Sequence, residues 1–363
     1  MIRKKLMVKK LYNNPEVYYG KGAVSCLKAI EQTKILFLVS GTVKASDYHT
    51  KLDGYFDKKD VTEVIVPEAT IDCILDINKE LGGRPSPEII VAVGGGKVLD
   101  VAKVARVMID NPTLDFEALT KNSFCDNSNT ALVAIPTTPG TGSETNAIAV
   151  VRDAAGRKTP LVNQGFVPDV AVLDHGFMKT LDIRSLYECA ADAFSHAFEG
   201  SVSVAGTPML SSIASSALAL LRQGFEKLKA DPADSKAHAD LLQAGHLAGI
   251  VQGNAFVGAC HALAHVIEEV SGVSISHGAS ILVTLKPTME WLKDTTKKPV
   301  YDEFLHAYET IGFDKHRDTD VLASIDADQW ADLALKDPSI STSPVRMKKE
   351  NIMVLIDWIR RGT

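Results

Sequence analysis

Two rhythms of apolar residues divide the 363-residue chain. In the first half, short β-branched runs recur at Ile35–Val39, Val61–Val66, Ile89–Val93, Ala131–Pro136 and Val170–Asp174. Runs apolar at successive positions suit strands buried on both faces. Between several of them lie amphipathic stretches, notably Thr70–Leu81 and Lys97–Ile109, with the three- and four-residue spacing of helices. Buried strands alternating with helices predict a mainly parallel, doubly wound sheet. After about Asp182 the rhythm becomes one of consecutive Ala/Leu-rich helical segments, with no convincing strand run. The expected fold class is therefore α/β plus all-α. A parallel-sheet domain over residues 1–181 is followed by an α-helical domain over residues 182–363, with HGFMKTLDIRS bracketing the change. No internal repeat or low-complexity segment interrupts either half.

Composition narrows the function classes. With 45% hydrophobic and 23% charged residues the chain is ordinary for a globular protein, and its length allows two substantial cores. A net charge of −6 argues against electrostatically driven nucleic-acid binding. The start, MIRKKLMVKKLYNNPEVYYG, is basic but lacks the apolar stretch and small-residue cleavage site of a secretory signal. Nor does any run approach the length of a membrane span. The expectation is a cytoplasmic protein with neither nucleic-acid nor membrane partners. Cys26, Cys73, Cys125, Cys189 and Cys260 are scattered without a C-x-x-C pair, as expected of free thiols in a reducing compartment.

Candidate chemistry lies in two places. Gly94, Gly95 and Gly96, in VAVGGGKVLDVAK, stand between a predicted strand and a predicted helix. Small residues there let the backbone approach a pyrophosphate, helped by the helix dipole and by Lys97. Alone they are equally consistent with a tight turn. AIPTTPGTGSETN follows the next strand and brings Thr137, Thr138, Thr141, Gly142 and Ser143, a loop dense in neutral donors. Two such loops at strand ends mark a nucleotide crevice. In the second half, DAFSH places Asp192 and His196 one helical turn apart, HALAH does the same for His261 and His265, and His277 precedes a glycine. A single histidine is more often a hydrogen-bonded core residue than a ligand. Two paired helical motifs and a third histidine point to a divalent ion.

GGGKVLDVAK, IPTTPGTGSETN, DAFSHAFEG and GACHALAHV…SHG, in this order and spacing, resemble the iron-containing (group III) alcohol dehydrogenase family. The resemblance runs from about Ile35 to beyond Lys348. It implies the dehydroquinate synthase-like fold, with a Rossmann-like N-terminal domain and a helical metal-binding domain. It also implies metal-dependent hydride transfer between NAD(P)H and a small aldehyde or alcohol. Its metal ligands fall on Asp192, His196, His261 and His277, and its metal is Fe²⁺, although the donor set also suits Zn²⁺. Its cofactor contacts fall on Gly94, Gly95, Gly96, Lys97, Asp100, Thr137, Thr138, Thr141, Gly142 and Ser143. His265 matches the family's histidine near the nicotinamide, either as the catalytic proton relay or as an orienting neighbour. Gly41 stands where NAD-preferring members carry Asp, which leaves room for NADPH with Ser40 or Lys44 as contacts. Arg152, Arg157 and Lys158 would bind an anionic substrate tail if they face the cleft; a solvated hairpin tip is the reading favoured. Glu268 and Glu269 either shape the pocket or solvate a loop. Glycerol dehydrogenase-like or dehydroquinate synthase-like metalloenzymes, and a non-catalytic nucleotide- or metal-binding regulator, are the alternatives. A homodimer or higher homo-oligomer is expected.

Overall fold

The computed structural model describes residue 11 and residues 15–82, 86–121 and 129–361. Its first half contains β1 (Glu16–Tyr19), β2 (Lys34–Val39), α1 (Gly41–Lys44), α2 (Asp47–Asp53) and β3 (Asp60–Ile65). These are followed by α3 (Ile71–Glu80), β4 (Ile89–Gly94), α4 (Gly96–Asp110), α5 (Phe116–Thr120) and β5 (Ala131–Pro136). A hairpin of β6 (Ile148–Arg152) and β7 (Lys158–Val162) and the strand β8 (Val170–Leu173) complete it. Six strands form one parallel sheet in the order β1-β8-β5-β4-β2-β3, and β6 pairs antiparallel with β7 alone.

Strand side chains alternate between faces, so each apolar run serves two cores. Leu36, Leu38, Ile90, Ala92, Leu132 and Ala134 pack against α3 and α4. Ile35, Phe37, Val39, Ile89, Val91, Val93 and Ile135 pack on the opposite side, over α1 and α2. Each fully buried Leu, Ile, Val or Phe contributes about 1.5–3 kcal/mol relative to exposure. That double burial explains why the sequence is apolar at successive positions.

From β2 the chain steps outward to β3 and then returns past β2 to β4 and β5. The direction of winding therefore reverses between β2 and β4. In open α/β sheets the crevice outside the carboxyl ends at such a reversal is where ligands bind.

The second half is α6 (Ile183–Val202), α7 (Pro208–Ala230), α8 (Ser235–Ala255), α9 (Ala259–Ser271), α10 (His277–Thr296), α11 (Val300–Ile311), α12 (Ala327–Ala334) and α13 (Lys349–Arg361). Asp182 caps α6 by accepting from the Ser185 N–H at 2.9 Å. Its centre is buried from Ala190 to Gly200 against α7, α8 and α10. Among the described residues, no single helix is long and apolar enough to cross a membrane.

The expected strands and helices agree with these elements to within a residue or two at the ends. The sequence pattern did not mark β1, a four-residue edge strand carrying exposed Tyr18 and Tyr19. It also left β6 and β7 unmarked as strands, although a hairpin tip was expected there. Cys26, Cys73, Cys189 and Cys260 are free thiols, and Cys125 lies outside the described residues.

Candidate metal and nucleotide site

Helix α6 presents Asp192 and His196 to one face, α9 presents His261, and His277 opens α10. The approach is close because residue 278 is glycine: a Cβ there would collide with the Glu188 backbone on α6. Asp192 Oδ1 lies 3.3 Å from His196 Nε2, 3.4 Å from His261 Nε2 and 3.3 Å from His277 Nε2. Four ligands bound tetrahedrally at about 2.0–2.1 Å from one ion stand about 3.3–3.4 Å apart. The ligand atoms of Asp192, His261 and His277 all lie within 4.8 Å of one another. His196 joins them through Asp192 and stacks on His261 with ring centroids 5.0 Å apart.

Hydrogen bonding tests whether a cation fits. Asp192 Oδ1 and His261 Nε2 are buried without a hydrogen-bond partner. Buried polar atoms are rarely left so, and a converging set of lone pairs is what a divalent ion would satisfy. Burial would raise the Asp192 carboxyl, but the facing imidazoles of His196 and His277 outweigh it and hold it well below the usual range. Burial depresses His196 to about 4, against the attraction of Asp192. Burial would also depress His261, yet Asp192 and Glu199 together push it up to about 9. Burial likewise depresses His277 to about 4, so two of the imidazoles resist protonation beside a carboxylate that stays ionised.

Glu199, one turn beyond His196, orients this set from behind. Its Oε2 accepts from His261 Nδ1 at 2.6 Å, and its Oε1 accepts from the Cys260 N–H at 2.8 Å. The first contact leaves Nε2 of His261 as the lone-pair nitrogen facing Asp192. Cys260 points elsewhere, with Sγ 3.2 Å from Thr284 Oγ1 and its thiol pushed up by burial. His265 stands beside the cluster, its ring stacked on His277 at 5.3 Å. Its Nδ1 is 2.8 Å from Asp337 Oδ2.

The nucleotide candidates lie at the carboxyl ends of the adjacent strands β2, β4 and β5, beside the winding reversal. A Cβ on Gly94 would come 3.3 Å from Ser40, one on Gly95 3.4 Å from Thr138, and one on Gly96 2.9 Å from Thr141 Oγ1. The three turns thus pack side by side, and at Gly96 only glycine fits against Thr141. Asp100 ties α4 to the second loop and to the hairpin, accepting from Ser143 Oγ at 2.6 Å and from the Val150 N–H at 2.9 Å. Ser40 Oγ accepts from the Val43 N–H at 3.3 Å and caps α1. Thr137 and Ser143 are buried, and Gly142 holds φ +57°. Gly41 is exposed, with nothing within 4 Å of a Cβ built on it. Two candidate cations are already paired: Lys97 with Glu68 at 2.6 Å, and Lys44 with Glu63 at 2.8 Å and His49 at 3.1 Å.

Residues 14–175 match the family of iron-containing alcohol dehydrogenases, and residues 188–325 match the C-terminal part of the Fe-containing alcohol dehydrogenase family. A probable alcohol dehydrogenase, EutG of Escherichia coli (strain K12), is 30% identical over 284 residues, which is 73% of this chain and 71% of that protein. The chain belongs to the iron-containing alcohol dehydrogenase family. It is an oxidoreductase of that family, working with iron and a nicotinamide cofactor. The NADPH-dependent butanol dehydrogenase of Clostridium saccharobutylicum is 28% identical over 290 residues, 77% of this chain and 73% of that one. The iron-containing alcohol dehydrogenase of Thermococcus thioreducens shares the fold, with a TM-score of 0.85 at 24% identity, covering 98% of this chain and 100% of the other.

Within this alcohol dehydrogenase the basic hairpin residues are engaged. Arg152 and Lys158 meet Glu268 of α9 at 2.9 and 3.4 Å, while Arg157 pairs with Asp153. Glu268 therefore bridges the hairpin to the helix that carries His261 and His265. Sequence reasoning missed Glu199 and Asp337, whose partners lie 62 and 72 residues away. The DAFSHAFEG motif did contain a signal for Glu199: it falls seven residues after Asp192, on the same helix face.

Proposed function

We propose that this protein interconverts a small aldehyde and its alcohol, with Asp192, His196, His261 and His277 holding Fe²⁺ and the three strand-end turns holding NAD(P)H. The observation carrying this reading is the buried Asp192 oxygen, 3.3–3.4 Å from three imidazole nitrogens and without a hydrogen-bond partner. When bound, the ion supplies a Lewis acid that polarises the carbonyl oxygen. Residues 1–181 would serve the nucleotide and residues 182–363 the metal, which would bring a hydride donor and an electrophile to one cleft.

The protein's own groups do the rest. Glu199 holds His261 with its free nitrogen inward, and Asp192 keeps its negative charge under three imidazoles. His277, with 32% of its side chain exposed, is the ligand nearest to open space and marks the substrate's entry side. Gly94–Gly96 offer backbone donors and Thr137, Thr138 and Thr141 hydroxyl donors to the cofactor phosphates, with Ser40 and Lys97 alongside, while Asp100 and Ser143, bonded to each other, brace the Gly142 turn. His265, outside the ligand set, exchanges the proton with solvent. Exposed Gly41 places no carboxylate at the end of β2, which favours tolerance of NADPH. Lys44 would reach a 2′-phosphate only by leaving Glu63. An anionic substrate tail would likewise have to displace Glu268 from Arg152 or Lys158. A cytoplasmic homodimer is the proposed state, in keeping with the free thiols.

Anaerobic NADH and NADPH oxidation by metal-stripped protein, with and without Fe²⁺, tests this reading. The aldehyde panel holds neutral, carboxylated, phosphonylated and sulfonylated members. Turnover that requires Fe²⁺ is expected, and the best substrate settles the tail. No turnover with any metal or aldehyde would point to a lyase or a binding role.

A further inference from the structure

The carboxylate of Asp337 has two separate partners. Its Oδ1 accepts from the Ser339 N–H at 2.8 Å, capping the turn over Pro338–Thr342. Its Oδ2 lies 2.8 Å from His265 Nδ1. A cap alone requires one acceptor, and Ser, Thr or Asn would serve. The second contact carries chemical information because a carboxylate only accepts: the shared proton must sit on Nδ1 of the imidazole, which makes Nε2 the lone-pair nitrogen. Asp337 is largely buried, with 11% of its side chain exposed, while His265 keeps 28%. One end of the ring is thus anchored inside the protein and the remainder is open beside His277.

We propose that Asp337 is a positioning residue for proton transfer, fixing His265 in the Nδ1–H tautomer with Nε2 presented as the base. The inference rests on the reading of His265 as the proton relay. In alcohol oxidation, Nε2 is the atom that would accept the proton leaving the alcohol. The ring becomes an imidazolium, which Asp337 stabilises until Nε2 releases the proton to solvent. Aldehyde reduction runs the same transfer backward, so protons balance in both directions and no further reactant is needed.

Asp337→Ser separates the two jobs. Serine can still cap the turn but is too short to reach His265. The first readout is ¹⁵N-histidine NMR of the metal-free protein, with the His265 signals identified through His265→Asn. Wild type should show the proton on Nδ1, and Asp337→Ser should lose that preference. In the Fe²⁺-loaded enzyme, kcat for alcohol oxidation should fall on the order of 100-fold, with NADPH affinity and the thermal midpoint little changed. A wild-type His265 protonated on Nε2, or an Asp337→Ser enzyme with unchanged kcat, would overturn the proposal. Full turnover by His265→Asn would instead sink the relay reading and the catalytic half of this inference, while NMR still decides the tautomer.

Discussion

A carboxylate oxygen 3.3–3.4 Å from three imidazole nitrogens, buried and without a hydrogen-bond partner, belongs to a donor set that suits a divalent cation. Removing a ligand should therefore abolish metal retention while leaving nucleotide binding intact. Asp192→Ala and His277→Ala are the test, read by metal analysis and by NADPH titration; tight metal binding in both would end the assignment. Glu199 acts one layer out, so Glu199→Gln should weaken Fe²⁺ binding by about 10–100-fold rather than eliminate it. Competition with a chelator measures that difference. At the cofactor end, Gly41 has nothing within 4 Å of a Cβ, so Gly41→Asp is sterically free. The added carboxylate should raise KM for NADPH more than for NADH, and an unchanged ratio would mean that this strand end is not the selector. The cluster proposed to hold the ion was legible in part because Asp192 and His196 sit one helical turn apart in sequence. Glu199 shares the Asp192 helix face seven residues on, yet its partner His261 lies 62 residues away, and Asp337 has no local pattern at all, its partner lying 72 residues away.

At the scale of elements, helix α8 joins the halves through glycine. Gly245, Gly249 and Gly253 recur every four residues and therefore share one face. A Cβ on Gly245 would come 2.8 Å from the Pro139 carbonyl carbon, one on Gly249 2.6 Å from the Gly142 Cα, and one on Gly253 2.6 Å from Asn146 Cβ. The helix thus lies directly on the hydroxyl-rich loop, locked by His246 to Glu144 at 3.0 Å and Asn146 to Gln252 at 2.9 Å. Gly249→Ala sets two effects against each other. Helix propensity gains about 1 kcal/mol, whereas overpacking against backbone costs about 1–3 kcal/mol. The clash should win, lowering the urea midpoint and loosening NADPH binding; a stabilised variant with normal affinity would refute the close approach. In sequence these glycines only weaken a helical pattern, so this contact was invisible. Strands β2, β4 and β5 were legible for the opposite reason, since burial on both faces makes every position apolar. Edge strand β1 and the half-exposed hairpin lack that signature.

The whole molecule carries a charged group at the base of this junction. Lys103 of α4 is fully buried, donating to the Ile148 carbonyl at 2.7 Å and to Asn146 Oδ1 at 3.3 Å. Burial lowers its pKa to about 8, against the attraction of Asp100 and Glu144. Relative to the unfolded chain, the native state resists protonation here, so the group opposes folding below pH 8. That opposition is relieved as pH rises from about 8 toward the unfolded value of 10.5. Lys103→Met should be destabilised by about 3–5 kcal/mol at neutral pH because it strands the facing acceptors and Asp100. The gap between wild type and variant should widen from pH 8 to 10, measured by chemical denaturation. A constant gap would show that Lys103 does not titrate in that window. The two-part architecture was readable from the change of rhythm near Asp182, but the network joining the parts was not.

The metal site is tested most directly by anomalous scattering from crystals of the Fe²⁺-loaded protein with bound nicotinamide cofactor, grown without oxygen. One iron peak is expected, bonded to Asp192, His196, His261 and His277, with the cofactor phosphates over Gly94–Gly96 and the nicotinamide facing the metal. Iron held elsewhere, or at these residues with His196 outside bonding distance, would contradict this assignment.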